Sequence, residues 1–347
     1  MEIGISFEPE LGLSFPEQRD LIRESVGLGY ASGWSPARLA PDPFQICTQW
    51  HQAAAGAGKP DFGTGISVLP APLWTAPVLA GMAGTTAVLT GGRFVLGIGA
   101  GSIYSPAWRE ANNIPAFPAI AMMRDYLVTI RAMLAGETAD HHGKAITLRG
   151  GRLPFKPPPV PVYLGTLGPQ MLRLAGEAAD GAALNWSTPE QVAWARERIA
   201  EGARRAGRDA SEITVHEYIR ICVDDEEDAA RRGLARAILG YALVRPGASK
   251  EAGYRGHFAR MGFDAQLAEL EERRERGASN DEIIDAFPRD LLSAVGYFGP
   301  PSGAAAAFRR LAEGLDVAVV RVVRARPGLE SVRAVMQACA PALVHAA

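Results

Sequence analysis

The sequence predicts a closed (β/α)8 barrel, a TIM barrel, formed by residues 1–347 as one domain. Three observations carry the expectation. Eight short β-like runs recur along the chain, single helical patterns stand between most of them, and no internal repeat or low-complexity tail interrupts the series. Strands joined by single helices run parallel through crossover connections, and eight such units in one chain favour a closed barrel over an open sheet.

Taken in order, the strands are expected at "IGISF" (3–7), "ASGWS" (31–35), "FGTGISVL" (62–69), "RFVLGIG" (93–99), "PVYLGT" (161–166), "GAALNW" (181–186), "ITVHEYIRICV" (213–223) and "VAVVRVV" (317–323). Helical patterns lie between them, among others at 16–29, 76–89, 120–136 and 189–207. Several open with a proline and close with a glycine, the residues that suit a first helical turn and the position past the last one. Two stretches depart from the alternation. Residues 137–160, "ETADHHGKAITLRGGRLPFKPPPV", read as an inserted β-hairpin with a proline-rich exit, and 225–300 reads as an inserted helical segment.

Composition limits the partners. With 48% hydrophobic residues the chain can bury a large core, and a formal charge of −2, with basic and acidic residues interspersed, offers no general attraction to nucleic acid or an anionic membrane. The three cysteines, Cys47, Cys222 and Cys339, are too far apart for a disulfide framework or a metal knuckle, and the six histidines show no ligand spacing. No metal is expected. The start "MEIGISFEPE" has no basic-then-apolar leader and no apolar run is long enough for a bilayer span, so a cytoplasmic location and a small-molecule substrate are expected.

A barrel of this kind carries its chemistry in the loops after the C-terminal ends of the strands. Glu8, Trp34 to Arg38, Gly65 to Val68, Gly99 to Ser105, Gly165 to Gln170, Asn185, Tyr218 and Arg324 all fall there. In "GRFVLGIGAGS" the glycines Gly97, Gly99 and Gly101 remove side chains where the backbone bends or another body comes close, and that body is a ligand or a packed element. A dinucleotide fingerprint needs a helix directly after its glycines, which the prolines at 106, 115 and 118 oppose. In "YLGTLGPQMLRLAGEAADG" a strand ends at Thr166, Gly168 permits a tight turn and Pro169 fits the first helical position. Unpaired amides there make an anion cradle or cap an ordinary turn.

These stretches, with "GYASGWS" and "PVYLGTLGPQMLRLAGEAADGAALN", resemble the bacterial-luciferase-like family of flavin- and deazaflavin-dependent oxidoreductases, most nearly its methylenetetrahydromethanopterin reductases. The likeness runs through most of the chain. It implies a planar hydride carrier at the strand ends, with its phosphate or tail in the loop 165–170, at Gly165, Thr166, Leu167, Gly168 and Gln170, and its ring near 65–68 and 99–102, with Gly65, Ile66, Gly99, Ala100, Gly101 and Ser102 as contacts. It also implies a non-proline cis peptide in the third strand, expected at Gly65-Ile66, and a contact from Asn185 to the carrier, although Asn185 can equally cap a loop. The family also commonly forms homodimers.

The departures bear on the chemistry. Ala37 and Arg38 stand where the deazaflavin enzymes usually have an acid and a histidine, Ser102 where many relatives have an acid, and Ser6 where the pterin reductases have a glutamate. Glu8 lies two residues beyond Ser6, so strand alternation points both side chains one way and lets Glu8 restore the acid; a solvent-exposed glutamate in a loop beside Glu10 is the alternative. Apolar walls such as Phe7 and Trp34 would raise its pKa for general-acid work or place it to stabilise an iminium. Ser6, Trp34, Tyr218 and Arg324 are the candidate substrate contacts, Arg324 as a grip on a carboxylate tail; a barrel-interior place for Tyr218 and a surface place for Arg324 are the alternatives. The resulting expectation is reduction of a methylene-tetrahydropterin or methylenetetrahydrofolate to the methyl level, with coenzyme F420 or NAD(P)H as the hydride source. An FMN-dependent monooxygenase and a non-catalytic binding barrel are the alternatives.

Overall fold

Apolar and small residues alternate along the strands in a way that sends each set to its own side of a closed sheet. In the computed structural model, which describes residues 1–37, 41–103, 105–244, 249–251 and 253–347, all eight expected strands form. They are β1 (Glu2–Phe7), β2 (Ser32–Ser35), β3 (Gly63–Pro70) and β4 (Phe94–Gly99), then, after the hairpin β5 (Ala139–His142) and β6 (Thr147–Gly151), β7 (Val162–Gly165), β8 (Gly181–Asn185) and β9 (Thr214–Val223). A short β10 (Gly296–Gly299) precedes the last barrel strand, β11 (Val317–Val323). The order β9-β11-β1-β2-β3-β4-β7-β8 closes through a β8–β9 pairing, and every barrel pairing is parallel.

Ile3, Ile5 and Phe7 of β1, with Val215, Ile219 and Ile221 of β9, belong to the large apolar cluster between strands and helices. The intervening positions face the barrel axis, where Trp34, Tyr163, Tyr218, Val317 and Val319 form a separate buried cluster. Trp34 fills the axis because its neighbours on both sides lack side chains. A Cβ on Gly4 would stand 2.8 Å from its ring, and one on Gly65 only 2.4 Å. The buried imidazole of His216 lies 4.1 Å from the Trp34 ring centroid.

Both insertions form. The hairpin is fastened by Asp125, whose carboxylate accepts from the Ala145 and Ile146 amides at 2.8 and 3.1 Å. The helical segment builds its own apolar core around Leu234, Ile238, Phe258, Leu267 and Leu291, joined to the barrel through Trp186, Cys222 and Val323. Its last piece, β10, pairs in parallel with β9 outside the closed ring. That strand was not expected, since "GYFG" is four residues between glycines, too short for any period to register. Among the described residues no helix is long and apolar enough to cross a membrane.

Candidate active site at the barrel mouth

The β3–β4 contact explains the glycines of "GRFVLGIGAGS". Along β3 the pairing steps from Ile66↔Leu96 to Leu69↔Ile98, so one extra residue bulges between them. A Cβ on Gly97 would lie 2.1 Å from the Ile66 carbonyl oxygen, and Cβ atoms on Gly99 and Gly165 would each lie 2.8 Å from a Val68 methyl. The body that approaches these glycines is therefore the bulged neighbour strand itself, which lifts Val68 into the mouth. The cis peptide lies at Ser67-Val68, inside the bulge, and not at Gly65-Ile66. Gly65 is explained by Trp34, and Ile66 points outward into the main core. Neither borders the cavity. Gly101, at φ 62° and with Pro70 Cβ 2.7 Å from where its own Cβ would be, makes the turn that follows β4. No helix starts at Ser102; the next runs from Pro106 to Ala111, as the prolines require.

A cavity of about 2270 Å³ opens at the C-terminal ends of the strands. Glu8, Gly99, Ala100, Gly101, Ser102, Gly165, Thr166, Leu167, Gly168, Gln170, Asn185, Tyr218 and Arg324 all line it, together with Ala37; Arg38 is outside the described residues. Ser6 and Trp34 do not. Ser6 is fully buried beneath the mouth, donating to the Trp34 carbonyl and accepting from Arg321 at 3.0 Å, and Trp34 is packing on the axis. Both lie inside the barrel, too deep to meet a ligand, and Phe7, expected as a second apolar wall beside Glu8, points outward into the main core. Arg324 borders the cavity, yet its terminal nitrogens donate to the Leu11 and Glu10 carbonyls at 2.9 and 3.2 Å. It fastens the loop after β1 in place of the expected grip on a carboxylate tail.

One wall of the mouth is a cradle of backbone. The helix Pro169–Ala178 follows Gly168, which gives no side-chain cap, and Gln170 and Met171, whose amides are left without an intrahelical acceptor at a helix start, line the cavity. A Cβ on Gly168 would meet nothing within 4 Å. Thr166 is buried and its hydroxyl has no protein partner, although an unpaired buried hydroxyl carries a desolvation cost. Arg260, from the inserted segment, donates to the Leu167 carbonyl at 2.8 Å and brings a cation to the cradle's rim. These groups match an anionic tail, and the adjoining apolar surface of Val68, Leu69, Ala100 and Met171 matches a flat ring.

The opposite wall is a network of buried charge. Glu8 lies between two guanidiniums, accepting from Arg220 Nε at 2.8 Å and from Arg321 at 2.6 Å. Burial alone would raise its pKa, but the charges and hydrogen bonds of Arg321 and Arg220 outweigh burial and hold it at about 2. The expected raised, proton-donating Glu8 is thus replaced by a carboxylate fixed in its ionised form, because the strands bring two arginines to it that its own segment does not disclose. Arg321 also lies over the Tyr218 ring at 4.4 Å, and Arg220 over the Trp186 ring at 3.8 Å. Arg220 continues to Asn185 Oδ1 at 2.7 Å, and Asn185 Nδ2 donates to Tyr254 Oη at 2.7 Å. Nearby, burial first, opposed by hydrogen bonds from Ser187 and the charge of Arg220, pushes Glu217 up to about 8.

Arg220, Arg321, Tyr254 and Arg260 were not among the expected site residues. For the first two a signal existed: an arginine within the apolar runs "EYIRICV" and "VAVVRVV" must find a buried partner. For Tyr254 and Arg260 there was none, since both reach the mouth from an insertion whose docking the local sequence does not encode.

Comparison with known proteins agrees with this architecture. The family model described as luciferase-like monooxygenase matches residues 1–317. A 5,10-methylenetetrahydromethanopterin reductase of Methanolobus tindarius is 30% identical over 265 residues, covering 73% of this chain and 73% of that protein. The solved structure of a coenzyme F420 dependent tetrahydromethanopterin reductase from Methanopyrus kandleri superposes with a TM-score of 0.78 at 20% identity, covering 98% of this chain and 97% of the other. A monooxygenase from Streptomyces bottropensis reaches 0.69 at 18%, covering all of both chains. At such identities the two structures establish the shared fold.

Proposed function

We infer the function from a premise: the chain belongs to the luciferase-like monooxygenase family. We propose that it is an oxidoreductase reducing a methylene-tetrahydropterin or methylenetetrahydrofolate to the methyl level, with reduced coenzyme F420 as hydride donor. The relatives that are methylenetetrahydromethanopterin reductases support the reaction class. The observation that carries the reading is the junction, in one cavity, of the donor-lined cradle at 166–170 with the apolar shelf at Val68.

When bound, the carrier supplies a hydride. The protein's part is placement. Thr166, the first-turn amides beyond Gly168 and Arg260 would hold an anionic tail, and Val68 and Ala100 would offer apolar surface to a ring. Leu69, Leu73, Ile120 and Met171 wall the same space with apolar surface that keeps water from the reacting carbons. A volume of about 2270 Å³ exceeds the several hundred Å³ one small ligand needs, so carrier and substrate fit together. Glu8 does not serve as the acid. Its charge fixes Arg220 and Arg321 behind the cavity lining, and Arg220 in turn holds Asn185, which borders the cavity.

Ala37 at the cavity wall, where the resemblance leads one to expect an acid, favours a second reading in which reduced nicotinamide is the donor. Titration of the purified protein with oxidised F420, NADPH and FMN, followed by assays with methylenetetrahydromethanopterin and methylenetetrahydrofolate, separates the readings. Micromolar binding of oxidised F420, and oxidation of added reduced F420 coupled to formation of the methyl product, are expected. A yellow protein retaining FMN and indifferent to F420 would overturn the proposal in favour of a monooxygenase.

A further inference from the structure

We infer that Tyr254 donates a hydrogen bond from its phenol to the ligand held in the barrel mouth, and that the Glu8–Arg220–Asn185 chain exists to aim it. The inference deepens the functional reading above and rests on a ligand with a lone-pair nitrogen or oxygen binding in that cavity.

The direction of every link follows from the chemistry of the groups. An ionised carboxylate only accepts and a guanidinium only donates. Glu8 therefore accepts from Arg220, and Arg220 must find an oxygen at its other end, which makes the Asn185 atom 2.7 Å away the amide oxygen. The orientation of that amide is thus fixed by its partner. Its Nδ2 then faces Tyr254 and donates to the phenol oxygen at 2.7 Å. With its oxygen accepting, Tyr254 keeps its own O–H for another acceptor. Among the described residues none is in reach, and both Tyr254 and Asn185 border the cavity.

The phenol is also held still. Its neighbours on the helix Gly253–Phe258 are anchored on both sides, Arg255 to Glu271 of the insertion at 3.0 Å and His257 to the Trp186 carbonyl at the end of β8 at 3.0 Å. The Tyr254 ring packs edge-on against Tyr241, with centroids 4.8 Å apart. A side chain so fixed gives a hydrogen bond without a large ordering cost at binding. In the strand ring, β9, which carries Arg220, lies opposite β3, which carries the Val68 shelf. Tyr254 meets this ring at Asn185, the end of β8, between β9 and β7 with its cradle, so its O–H addresses the space shared by carrier and substrate, and the binding measurements decide which of the two accepts it.

Two conservative variants test this. Tyr254→Phe removes only the O–H. Asn185→Asp keeps the shape but turns the donor facing Tyr254 into an acceptor, so the phenol rotates to bond the new carboxylate and withdraws from the cavity. Binding of 5-methyltetrahydrofolate, oxidised F420 and NADPH is measured by calorimetry for wild type, each single variant and the double variant, alongside kcat and KM. Each single variant should weaken one ligand, 5-methyltetrahydrofolate or the carrier that wild type binds, about tenfold and the same one in both variants, and the double variant should lose no more than either single one. Full affinity in Tyr254→Phe, or effects of the two substitutions that multiply in the double variant, would overturn the inference while leaving the functional reading intact. Wild-type binding of the pterin with no binding of F420 would instead defeat the donor assignment and leave Tyr254 to be judged by the same cycle. Binding of none of the three ligands would overturn both.

Discussion

The two sides of the barrel mouth are built by opposite means. On the β3–β4–β7 side the shape comes from side chains that are missing: Gly97, Gly99 and Gly165 make room for the bulge that raises Val68, and the cradle beyond Gly168 is made of amides. On the β1–β9–β11 side it comes from the most costly side chains a core can hold, Glu8, Arg220 and Arg321, each under a tenth exposed. The first side is set by steric exclusion and is indifferent to pH. The second is set by paired charge and depends on every partner being present, because a buried ion that loses its counter-ion keeps its desolvation cost.

The largest expected effect falls on the charged side. Arg321→Met leaves Glu8 buried with one partner fewer and takes a donor from Ser6, so denaturant unfolding at neutral pH should show a loss of about 3–5 kcal/mol. A loss under about 1 kcal/mol would mean that water reaches Glu8 and that the contrast between the two sides is overstated.

Next in size is a pH effect with a definite sign. Glu217 is raised from 4.5 to about 8, so the folded form holds its proton more tightly than the unfolded form. Its contribution is full below pH 4.5 and lost as pH rises toward 8. Glu217→Gln lacks that loss, and its stability relative to wild type should climb by a few kcal/mol, of order 2–4, across this window. Glu8, lowered to about 2, works the other way: its contribution is full above 4.5 and disappears as pH falls toward 2. Parallel stability–pH curves for wild type and Glu217→Gln would show that residue 217 is solvated.

On the glycine side, Gly97→Ala sets a Cβ 2.1 Å from a backbone oxygen that cannot swing away, and about 1–3 kcal/mol of stability should be lost. That loss should be the same from about pH 5 to 8, since no charge is involved. A pH-dependent loss, read from melting curves, would show that the bulge and the charge network are coupled.

The smallest effect on the fold is expected at Gly168, where a Cβ meets open space and φ is −116°. Gly168→Leu should change stability by no more than about 0.5 kcal/mol yet weaken binding of the carrier about tenfold, roughly 1.4 kcal/mol, by crowding the cradle. Unchanged carrier affinity would reduce the turn at 165–170 to an ordinary helix start.

Most of the barrel was legible because strands of this fold carry their destination locally. "VAVVRVV" and "ITVHEYIRICV" are long enough to display both β-branched enrichment and alternation, and the helix expected at 76–89 occurs as Ala76–Leu89. The glycine stretch and the loop at 165–170 were recognisable as parts of the mouth for the same reason, since strand ends locate it. The cis peptide was displaced by two residues because a bulge is decided by which neighbour leaves room, and Gly97 lies about thirty residues further along the chain.

By itself, then, the sequence determined the number and order of the barrel strands, the common direction of Ser6 and Glu8 on the first of them, and the end of the barrel that could hold a ligand. These follow from periodicity and turn chemistry, which act over a few residues. Only the tertiary structure decided the protonation state of Glu8, the depth of Ser6 and Trp34, and the arrival of Tyr254 and Arg260 at the mouth. Electrostatics and exclusion depend on distance in space, and the partners of Glu8 stand 212 and 313 residues away along the chain.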